Sequence, residues 1–429
     1  MYMHNRERLP TPGGSRQPGS ASMRADAFIG HLDADSFYVS AERVRDPFLL
    51  GKQVAVLGNQ GACVIAKSYE MKSAGVKTGE PIWEAKKKCP EAIFIKRDFR
   101  WYEVLSRHMY DVLRALSPTV EFYSVDEFFF AVPADSECSL QQMAVAFRDH
   151  VSRLVGVPVT VGIGRSKTLA KLLSDTAKPF GARAAVNRGE EEALLEKLSV
   201  TEISGIASRR AARLAGHGIT NCLQFARAER RFIRMLLTGT GEDLWWEVNG
   251  TPVHKLLTDR PPHKMLSRGG SLGESTADPD RLLAWVARNL ERLIEELEFH
   301  AVKAGRLHVW LGYTAGGAAA ASAPLLAPTD RFDLLMDACR AGVERAWNGS
   351  AINRMHLLAS RLARPSFVQR GLFDPPDERA EAVAKLKREV NAQCGRFALR
   401  SGATLPLKEI YRDAAQGYDI CDIRGKICF

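Results

Sequence analysis

Apolar residues follow two spacings in the N-terminal part of the chain, and each spacing predicts a different element. Short runs of β-branched and aromatic residues predict buried strands, whereas apolar positions three and four apart predict helices. The strand-like runs are Ala27–Asp33, Gln53–Leu57, Ala62–Ala66, Val120–Val125 and Val157–Ile163. The helix-like segments are Ser68–Ser73, Ile82–Lys88, Trp101–Leu116 and Lys167–Ala177. Because strands and helices alternate, a mixed α/β core is predicted here.

The pattern changes after Gly181. Residues Leu194–Val248 have helical spacing throughout and are rich in arginine, and a segment with several prolines follows as a probable linker over 251–263. A second α/β unit is predicted over 264–364. Its elements are a long amphipathic helix at Leu282–Phe299, a strand at Leu307–Leu311, an Ala/Gly loop at Thr314–Ala323, a further helix and a strand at Met355–Leu362.

The two ends of the chain carry little periodicity. Residues 1–24 are rich in Pro, Gly, Ser and Arg, which predicts a flexible N-terminal tail. Residues 365–429 contain prolines and one charged helical stretch, and the pattern predicts a C-terminal tail without indicating its role.

Composition narrows the class of protein. A chain of 429 residues suggests about two to four domains. Lys and Arg total 60 against 50 Asp and Glu, and a net charge of +10 favours a polyanion such as nucleic acid, although a merely basic soluble protein stays an alternative. The eight cysteines form no CxxC pair, and no apolar run approaches the about 20 residues of a membrane span. A reduced, cytoplasmic protein without a membrane partner is therefore expected.

Two acidic clusters lie where carboxylates are costly to bury. Asp33 and Asp35 end an apolar strand, and Asp126 and Glu127 precede three phenylalanines. A buried ion left alone costs several kcal/mol, which a divalent cation would offset. Acids at one edge of two adjacent strands could hold two Mg²⁺ about 4 Å apart, the arrangement used for phosphoryl transfer. The alternative is that each acid caps a strand end or pairs with a nearby Lys or Arg.

Four motifs in a fixed order resemble those of Y-family DNA polymerases of the bacterial DinB and UmuC branches. The first is Asp33-Ala34-Asp35-Ser36-Phe37-Tyr38, and the second is Tyr123-Ser124-Val125-Asp126-Glu127. The third, Ser68-Tyr69-Glu70-Met71-Lys72, lies between them. The fourth lies downstream and has two parts, Val161–Lys167 and Ala177–Gly181. The resemblance covers Phe28 to about Ala185.

The resemblance implies an α/β multi-domain fold, a right-hand polymerase with an α/β palm, small fingers, a helical thumb and an α/β little-finger domain. In this sequence the palm would comprise 25–42 and 99–187, the fingers 43–98 and the thumb 188–250. The unit over 264–364 would be the little finger, which binds DNA, and this assignment follows from its position.

The resemblance also assigns roles to single residues. Asp33, Asp126 and Glu127 would be catalytic and would bind two Mg²⁺ together with the Ala34 carbonyl, whereas Asp35 would be structural. Nucleotide binding would involve Tyr38, Tyr69, Lys72 and Lys178. Tyr38 falls at the steric-gate position, where an aromatic ring would clash with a 2′-OH, and the other three would contact the triphosphate.

Two further segments predict partners. Residues 204–219 look like a degenerate helix-hairpin-helix, in which a glycine-rich turn binds a DNA phosphate, although a simple helical hairpin is an alternative. Its candidate DNA contacts are Gly205, Arg209, Arg210 and Arg213. A second segment resembles the Gln-x-x-Leu-Phe peptide that docks on the sliding clamp, with a plain surface loop as the alternative. Its contacts would be Gln369, Leu372 and Phe373.

By this resemblance the chain is expected to add dNTPs to primer–template DNA with low fidelity and to tolerate damaged templates, with accessory mutagenesis proteins as further possible partners. The alternative is a non-catalytic relative that serves as a scaffold or clamp adaptor. The intact acids at positions 33, 126 and 127 count against that alternative.

Overall fold

The computed structural model describes residues 28–58, 63–132, 139–259, 262–367, 378–394, 398–407 and 420–421. The chain divides into two compact units, one formed by Met1–Asp259 with Ala415–Phe429 and the other by Arg260–Ala414. The division falls within the segment predicted as a linker. The predicted N-terminal tail and the predicted clamp-binding residues Gln369, Leu372 and Phe373 lie outside the described residues.

The first unit contains two sheets and ten helices within its described residues. Its strands are β1 Ile29–Ala34, β2 Val54–Leu57, β3 Val64–Lys67, β4 Ile93–Lys96, β5 Val120–Phe122, β6 Glu127–Ala131, β7 Val159–Gly164, β8 Ala182–Ala184 and, near the C-terminus, β13 Ile420–Cys421. Its helices are α1 Phe37–Arg45, α2 Tyr69–Ser73, α3 Ile82–Lys88, α4 Phe99–Leu116, α5 Leu140–Val155, α6 Lys167–Ala177, α7 Arg188–Lys197, α8 Ser208–Ala215, α9 Cys222–Arg227 and α10 Arg230–Val248.

The larger sheet has the strand order β5-β6-β1-β7-β8. Strand β1 lies at its centre and is antiparallel to both β6 and β7. One face of β1 presents Leu32 and Ala34 to the main core, which also contains side chains of α4 and α5. The opposite face presents His31 and Asp33 toward α6, because successive side chains of a strand alternate between faces. The smaller sheet has the order β13-β4-β2-β3.

Helix α6 lies unusually close to the larger sheet because β7 has a glycine at the crossing point. A Cβ on Gly162 would lie 2.1 Å from the carbonyl oxygen of Ala170 and 2.4 Å from the nitrogen of Ser174. Both residues belong to α6, whose N-terminus is capped by the Ser166 side chain. This close packing brings the polar residues of α6 next to the acids of β1 and β6.

The helical region α7–α10 is joined to the larger sheet by buried polar contacts. Glu247, on α10, is fully buried and accepts hydrogen bonds from the backbone nitrogens of Thr168 and His254. Glu121, on β5, pairs with Lys167 and also accepts a bond from the backbone nitrogen of Leu257 at 2.7 Å. These two hydrogen bonds therefore hold residues 254–257 in place within the first unit.

The second unit is a four-stranded antiparallel sheet packed against two helices. Its elements are β9 Met265–Thr276, α11 Pro279–Phe299, β10 Ala304–Tyr313, β11 Ala318–Thr329, α12 Phe332–Ala346, β12 Ile352–Ser360 and α13 Glu378–Cys394. The strand order is β11-β10-β12-β9. Glu291 of α11 pairs with Lys387 of α13 and accepts a hydrogen bond from the backbone nitrogen of Ser401. Part of the predicted C-terminal tail thus packs on this unit.

Most predicted elements are present, and two predictions need correction. The prediction of a loop at Thr314–Ala323 is wrong beyond the turn, because β11 begins at Ala318 and pairs with β10 through its backbone. The predicted strand Val120–Val125 ends at Phe122, because the Ser124 hydroxyl bonds to the nitrogens of Asp126 and Glu127 in a tight turn. Strands β4, β6, β8, β9 and β13 were not predicted either.

No helix among the described residues combines the length and the apolar character that crossing a membrane requires.

Candidate active site

The predicted catalytic acids come together at one end of the larger sheet. Asp33 and Glu127 are direct partners in the register of β1 and β6. Asp126 occupies the turn before β6, where its carbonyl oxygen accepts a hydrogen bond from the Ala34 nitrogen at 2.9 Å. Its carboxylate accepts a bond from the Ser124 hydroxyl at 2.6 Å. Residues almost a hundred positions apart therefore share one strand end.

Asp33 is almost completely buried and bonds to a lysine that follows α6. Its Oδ2 lies 2.7 Å from Nζ of Lys178. Burial raises the pKa of Asp33 to about 7 against the opposing effect of Lys178, and the charges of Glu127 and Asp126 raise it further. The same ion pair raises the pKa of Lys178, although burial alone would lower it. The ion pair with Lys178 therefore does not fully offset the effect of burial on this carboxylate.

Glu127 is half-buried between a lysine and a histidine. Its Oε1 lies 2.7 Å from Nζ of Lys171, and its Oε2 lies 3.8 Å from Nε2 of His31. Burial alone would raise the pKa of Glu127, but His31 and Lys171 hold it at about 2. His31 is itself fully buried, which lowers its pKa, and its Nδ1 lies 2.7 Å from the Ser174 hydroxyl.

The donor chemistry of this edge fits a divalent cation. Three carboxylates and the Ala34 carbonyl are hard oxygen donors of the kind that Mg²⁺ binds, and the charge repulsion acting on Asp33 is what such a cation would offset. Their side chains are not yet arranged as a ligand set, since no cluster of three potential metal ligands occurs in the described part of the chain. Lysine ammonium groups instead neutralise Asp33 and Glu127.

Asp35 lies next to these acids but has different partners. It is buried, and its carboxylate accepts hydrogen bonds from the Tyr69 hydroxyl at 3.1 Å, the Thr160 hydroxyl at 2.9 Å and the Phe180 nitrogen at 2.8 Å. The Asp35 carboxylate thus accepts hydrogen bonds from neutral donors on three separate segments. These hydrogen bonds are typical of a structural carboxylate, which holds neighbouring segments together.

Two of the predicted triphosphate contacts lie close to these acids. Tyr69 reaches Asp35, and Lys178 reaches Asp33. Lys72 is exposed and places its Nζ 5.5 Å from the centre of the Tyr69 ring. Tyr69 and Lys178 come from separate segments of the chain, so the structure brings a hydroxyl and an ammonium group to the buried acids.

Tyr38, at the predicted steric gate, is half-buried and held by other aromatic rings. Its ring stacks on Tyr102 with centroids 4.5 Å apart and an angle of 18°. The Tyr102 hydroxyl donates to Glu42 at 2.6 Å, and Phe99 meets both rings edge-on. Burial raises the pKa of Tyr38, so the phenol is neutral near pH 7.

The sequence reasoning missed the polar side of α6. Lys171 pairs with Glu127, and Asp175 pairs with Lys178 at 3.0 Å. Lys171 and Asp175 are four residues apart, which places them on one side of the helix, and Lys178 follows directly after the helix. That spacing was visible in the sequence, but only the packing of α6 indicates what it contacts.

The candidate DNA contacts lie on α8 and the turn before it. Arg209 and Arg213 are exposed. Arg210 is instead bonded within the protein, to the Gly205 carbonyl at 2.8 Å and the Thr240 hydroxyl at 3.0 Å. Gly205 has a φ of +101°, a conformation that favours glycine. Arg210 therefore stabilises the turn by hydrogen bonds within the protein, whereas Arg209 and Arg213 face solvent.

Comparison with protein families identifies two matching regions. Residues 32–175 match the impB/mucB/samB family, and residues 263–372 match the impB/mucB/samB family C-terminal domain. Protein SamB of Salmonella typhimurium is 30% identical over 378 residues, which cover 84% of this chain and 89% of SamB. A protein named DNA polymerase IV from Bacillus velezensis is 28% identical over 390 residues, covering 89% of this chain and 94% of that protein.

Solved structures agree on the fold. The Y-family DNA polymerase chimera Dbh-Dpo4(243-245)-Dbh has a TM-score of 0.67 at 21% sequence identity, covering 79% of this chain and 99% of the chimera. An insertion ternary complex of Dbh DNA polymerase has a TM-score of 0.51 at 21% identity, with the same coverage. The expected α/β multi-domain polymerase fold is thus confirmed. The chain belongs to the impB/mucB/samB family and is a DinB/UmuC-like member of the Y-family of DNA polymerases.

Proposed function

We propose that this protein transfers nucleotides from dNTPs to the 3′-OH of a primer, directed by a DNA template, and that it does so on damaged templates. The observation that carries the proposal is the pairing of Asp33 with Glu127 across β1 and β6, with Asp126 in the adjoining turn. Relatives of similar length are named DNA polymerase IV, which supports the reaction class.

Y-family DNA polymerases generally depend on divalent metal ions, and we assign two Mg²⁺ to this edge of the sheet. Asp33, Asp126, Glu127 and the Ala34 carbonyl would hold them. Bound there, the ions would activate the primer 3′-OH and neutralise the triphosphate. Lys171 and Lys178 would move from the carboxylates as the cations take over their compensating role.

The remaining predicted residues have roles around this centre. Tyr69, Lys72 and Lys178 would bind the triphosphate, and donors at these positions stabilise the charge that develops on it. Tyr38 would exclude ribonucleotides, since its ring is fixed by the stack on Tyr102.

The domain assignment follows the observed elements. The larger sheet would be the palm, over 25–42 and 99–187, and the smaller sheet would form the fingers, over 43–98. Helices α7–α10 would be the thumb, over 188–250, and the unit that begins at Arg260 would contain the little finger, over 264–364.

The partners follow from charge and position. Primer–template DNA would contact Arg209 and Arg213, which are exposed, while Gly205 and Arg210 would shape the turn that approaches a phosphate. Gln369, Leu372 and Phe373 would dock on the sliding clamp, and accessory mutagenesis proteins would be further partners.

Primer extension tests the proposal. Wild type would be compared with Asp126→Ala/Glu127→Ala on an undamaged and an abasic template, with Mg²⁺ and all four dNTPs. The expected result is extension on both templates by wild type and none by the variant. Glu103→Ala, which removes an exposed acid paired with Arg107 on α4, is the matched control and should extend normally.

The alternative of a non-catalytic scaffold makes a different prediction. It requires that folded wild type binds primer–template DNA yet extends neither template, with or without added clamp. Extension that persists in the double variant would instead overturn the assignment of Asp126 and Glu127.

A further inference from the structure

Asp35 connects two segments that supply proposed triphosphate contacts. Its Oδ1 accepts the hydroxyl hydrogen of Tyr69, at the start of α2. Its Oδ2 accepts the backbone N–H of Phe180, two residues after Lys178. The two segments lie more than a hundred positions apart in the chain, and one buried carboxylate holds both.

The Phe180 segment needs such an anchor. Phe180 has a φ of +48°, a left-handed conformation that is unfavourable for a residue with a side chain. Arg148 lies over its ring, with the guanidinium 4.7 Å from the ring centre, and also bonds to its carbonyl. Gly181 follows, and a Cβ there would lie 1.9 Å from the carbonyl oxygen of Ala177, so the segment turns sharply against the end of α6.

Thr160 completes the anchor on the sheet. Its hydroxyl donates to Asp35 at 2.9 Å and accepts the Gly181 N–H at 3.3 Å. Thr160 is fully buried on β7 and faces Asp33 in the register of β1 and β7. The position of the Phe180 segment is therefore fixed relative to the acidic edge.

We propose that Asp35 is a positioning residue that sets the places of Tyr69 and Lys178 for the incoming nucleotide. It bonds to the Tyr69 hydroxyl directly, and it holds Lys178 through the Phe180 nitrogen. The Tyr69 hydroxyl and the segment that carries Lys178 thus bond to the same carboxylate, so Asp35 fixes their relative positions. This inference rests on the proposed function, since it takes both residues to contact the triphosphate.

Asp35→Asn tests the proposal, because it keeps the size of the side chain but removes its charge and replaces one acceptor oxygen with an amide N–H₂ donor. The measurement is the apparent Kd of the dNTP on the enzyme–primer–template complex, together with the Kd of primer–template itself. The dNTP Kd is expected to rise about tenfold, the effect of losing a hydrogen bond to a charged group. The DNA Kd should stay within about twofold, because the anchor does not touch the proposed DNA contacts.

Hydrogen exchange supplies a readout that does not depend on activity. In Asp35→Asn the backbone amides of Phe180 and Gly181 should exchange faster than in wild type, because the Phe180 N–H no longer bonds to a charged carboxylate oxygen. Asp46→Asn is the matched control. Asp46 also accepts a backbone N–H, at 3.1 Å from Phe48, but lies outside the site, so neither the dNTP Kd nor this exchange should change.

Thr160→Val is a second variant should Asp35→Asn not fold. It removes only a hydroxyl that supports Asp35 and Gly181, and it touches no proposed nucleotide contact. The proposal expects a rise in dNTP Kd of about threefold and faster exchange of the Phe180 and Gly181 amides. An unchanged dNTP Kd in a folded variant, or an equal rise in the Kd values of dNTP and DNA, overturns it. Failure of wild type to bind dNTP at all would instead count against the proposed function.

Discussion

Two aspartates separated by one residue illustrate how environment decides the chemistry of a side chain. Asp33 faces a lysine and two other carboxylates, and its pKa is raised to about 7. Asp35 faces a phenol, an alcohol and a backbone N–H, which are all neutral donors. The first is suited to exchange its partner for a metal ion, whereas the second is suited to hold its neighbours in place.

Tyr38 gives a prediction at the same scale. Replacing Tyr38 with Ala should raise the incorporation of ribonucleotides relative to deoxyribonucleotides by at least about tenfold, because the ring that would clash with the 2′-OH is removed. Tyr102→Leu should produce a smaller rise, because Tyr38 loses the ring that fixes it. Single-nucleotide incorporation of rNTP and dNTP measures both ratios.

Phe48→Ala is the control for these variants, because it removes an aromatic ring that is largely exposed and outside the site. Its ratio of rNTP to dNTP incorporation should equal that of wild type. A Tyr38→Ala enzyme that still rejects ribonucleotides as wild type does would contradict the steric-gate assignment.

At the scale of elements, the close packing of α6 against β1 and β7 assembles the site. The helix carries Lys171 and ends just before Lys178, and these two lysines compensate Glu127 and Asp33. Gly162 allows this approach, because any side chain there would overlap the α6 backbone. The positions of these two lysines therefore depend on the absence of a side chain at Gly162.

Gly162→Ala should lower the free energy of unfolding by about 2–3 kcal/mol, the usual effect of forcing a methyl group into a packed core. Urea denaturation followed by circular dichroism measures it. Gly216→Ala is the matched control. Gly216 has a φ of −59°, and a Cβ there would make only ordinary van der Waals contacts, the nearest at 3.5 Å, so alanine should change stability by about 0.5 kcal/mol or less. Equal stability of Gly162→Ala and wild type would mean that α6 can move away from the sheet without loss.

At the scale of the whole molecule, the excess of ten positive charges is the property that matters for a polyanion. Part of that charge is compensated internally, as in the pairs of Lys171 with Glu127 and Lys178 with Asp33. Arg209 and Arg213 on α8 are exposed instead. Exposed cations on a short helix are where phosphate contacts would release counterions.

Arg209→Ala/Arg213→Ala should weaken binding to primer–template DNA of any sequence and reduce the slope of log K against log salt by about 2, one for each lost phosphate contact. Fluorescence anisotropy at several salt concentrations measures the slope. Arg107→Ala/Arg114→Ala, which removes the same charge from the exposed side of α4, should leave it nearly unchanged. Equal slopes for all three proteins would place the DNA contacts elsewhere.

The sequence by itself determined the local elements and the residue types of the site. The bounds of α3 and α6 were predicted to the residue, because their apolar spacing is encoded within a few positions and Ser166 caps α6. The acidic clusters were recognisable because carboxylates beside apolar runs are rare. Strand β11 was missed, because its alanines show no alternation and only pairing with β10 makes it a strand.

Tertiary structure alone decided the partners of those residues. Lys178 meets Asp33, and the Phe180 nitrogen meets Asp35, across a separation of 145 positions in each case. Ion pairs and hydrogen bonds between such distant residues leave no periodicity in the sequence, because they depend on how α6 and the sheet pack. The sequence thus indicated the candidate acids, and the packing of α6 determined which of them pairs with a lysine and which accepts a backbone N–H.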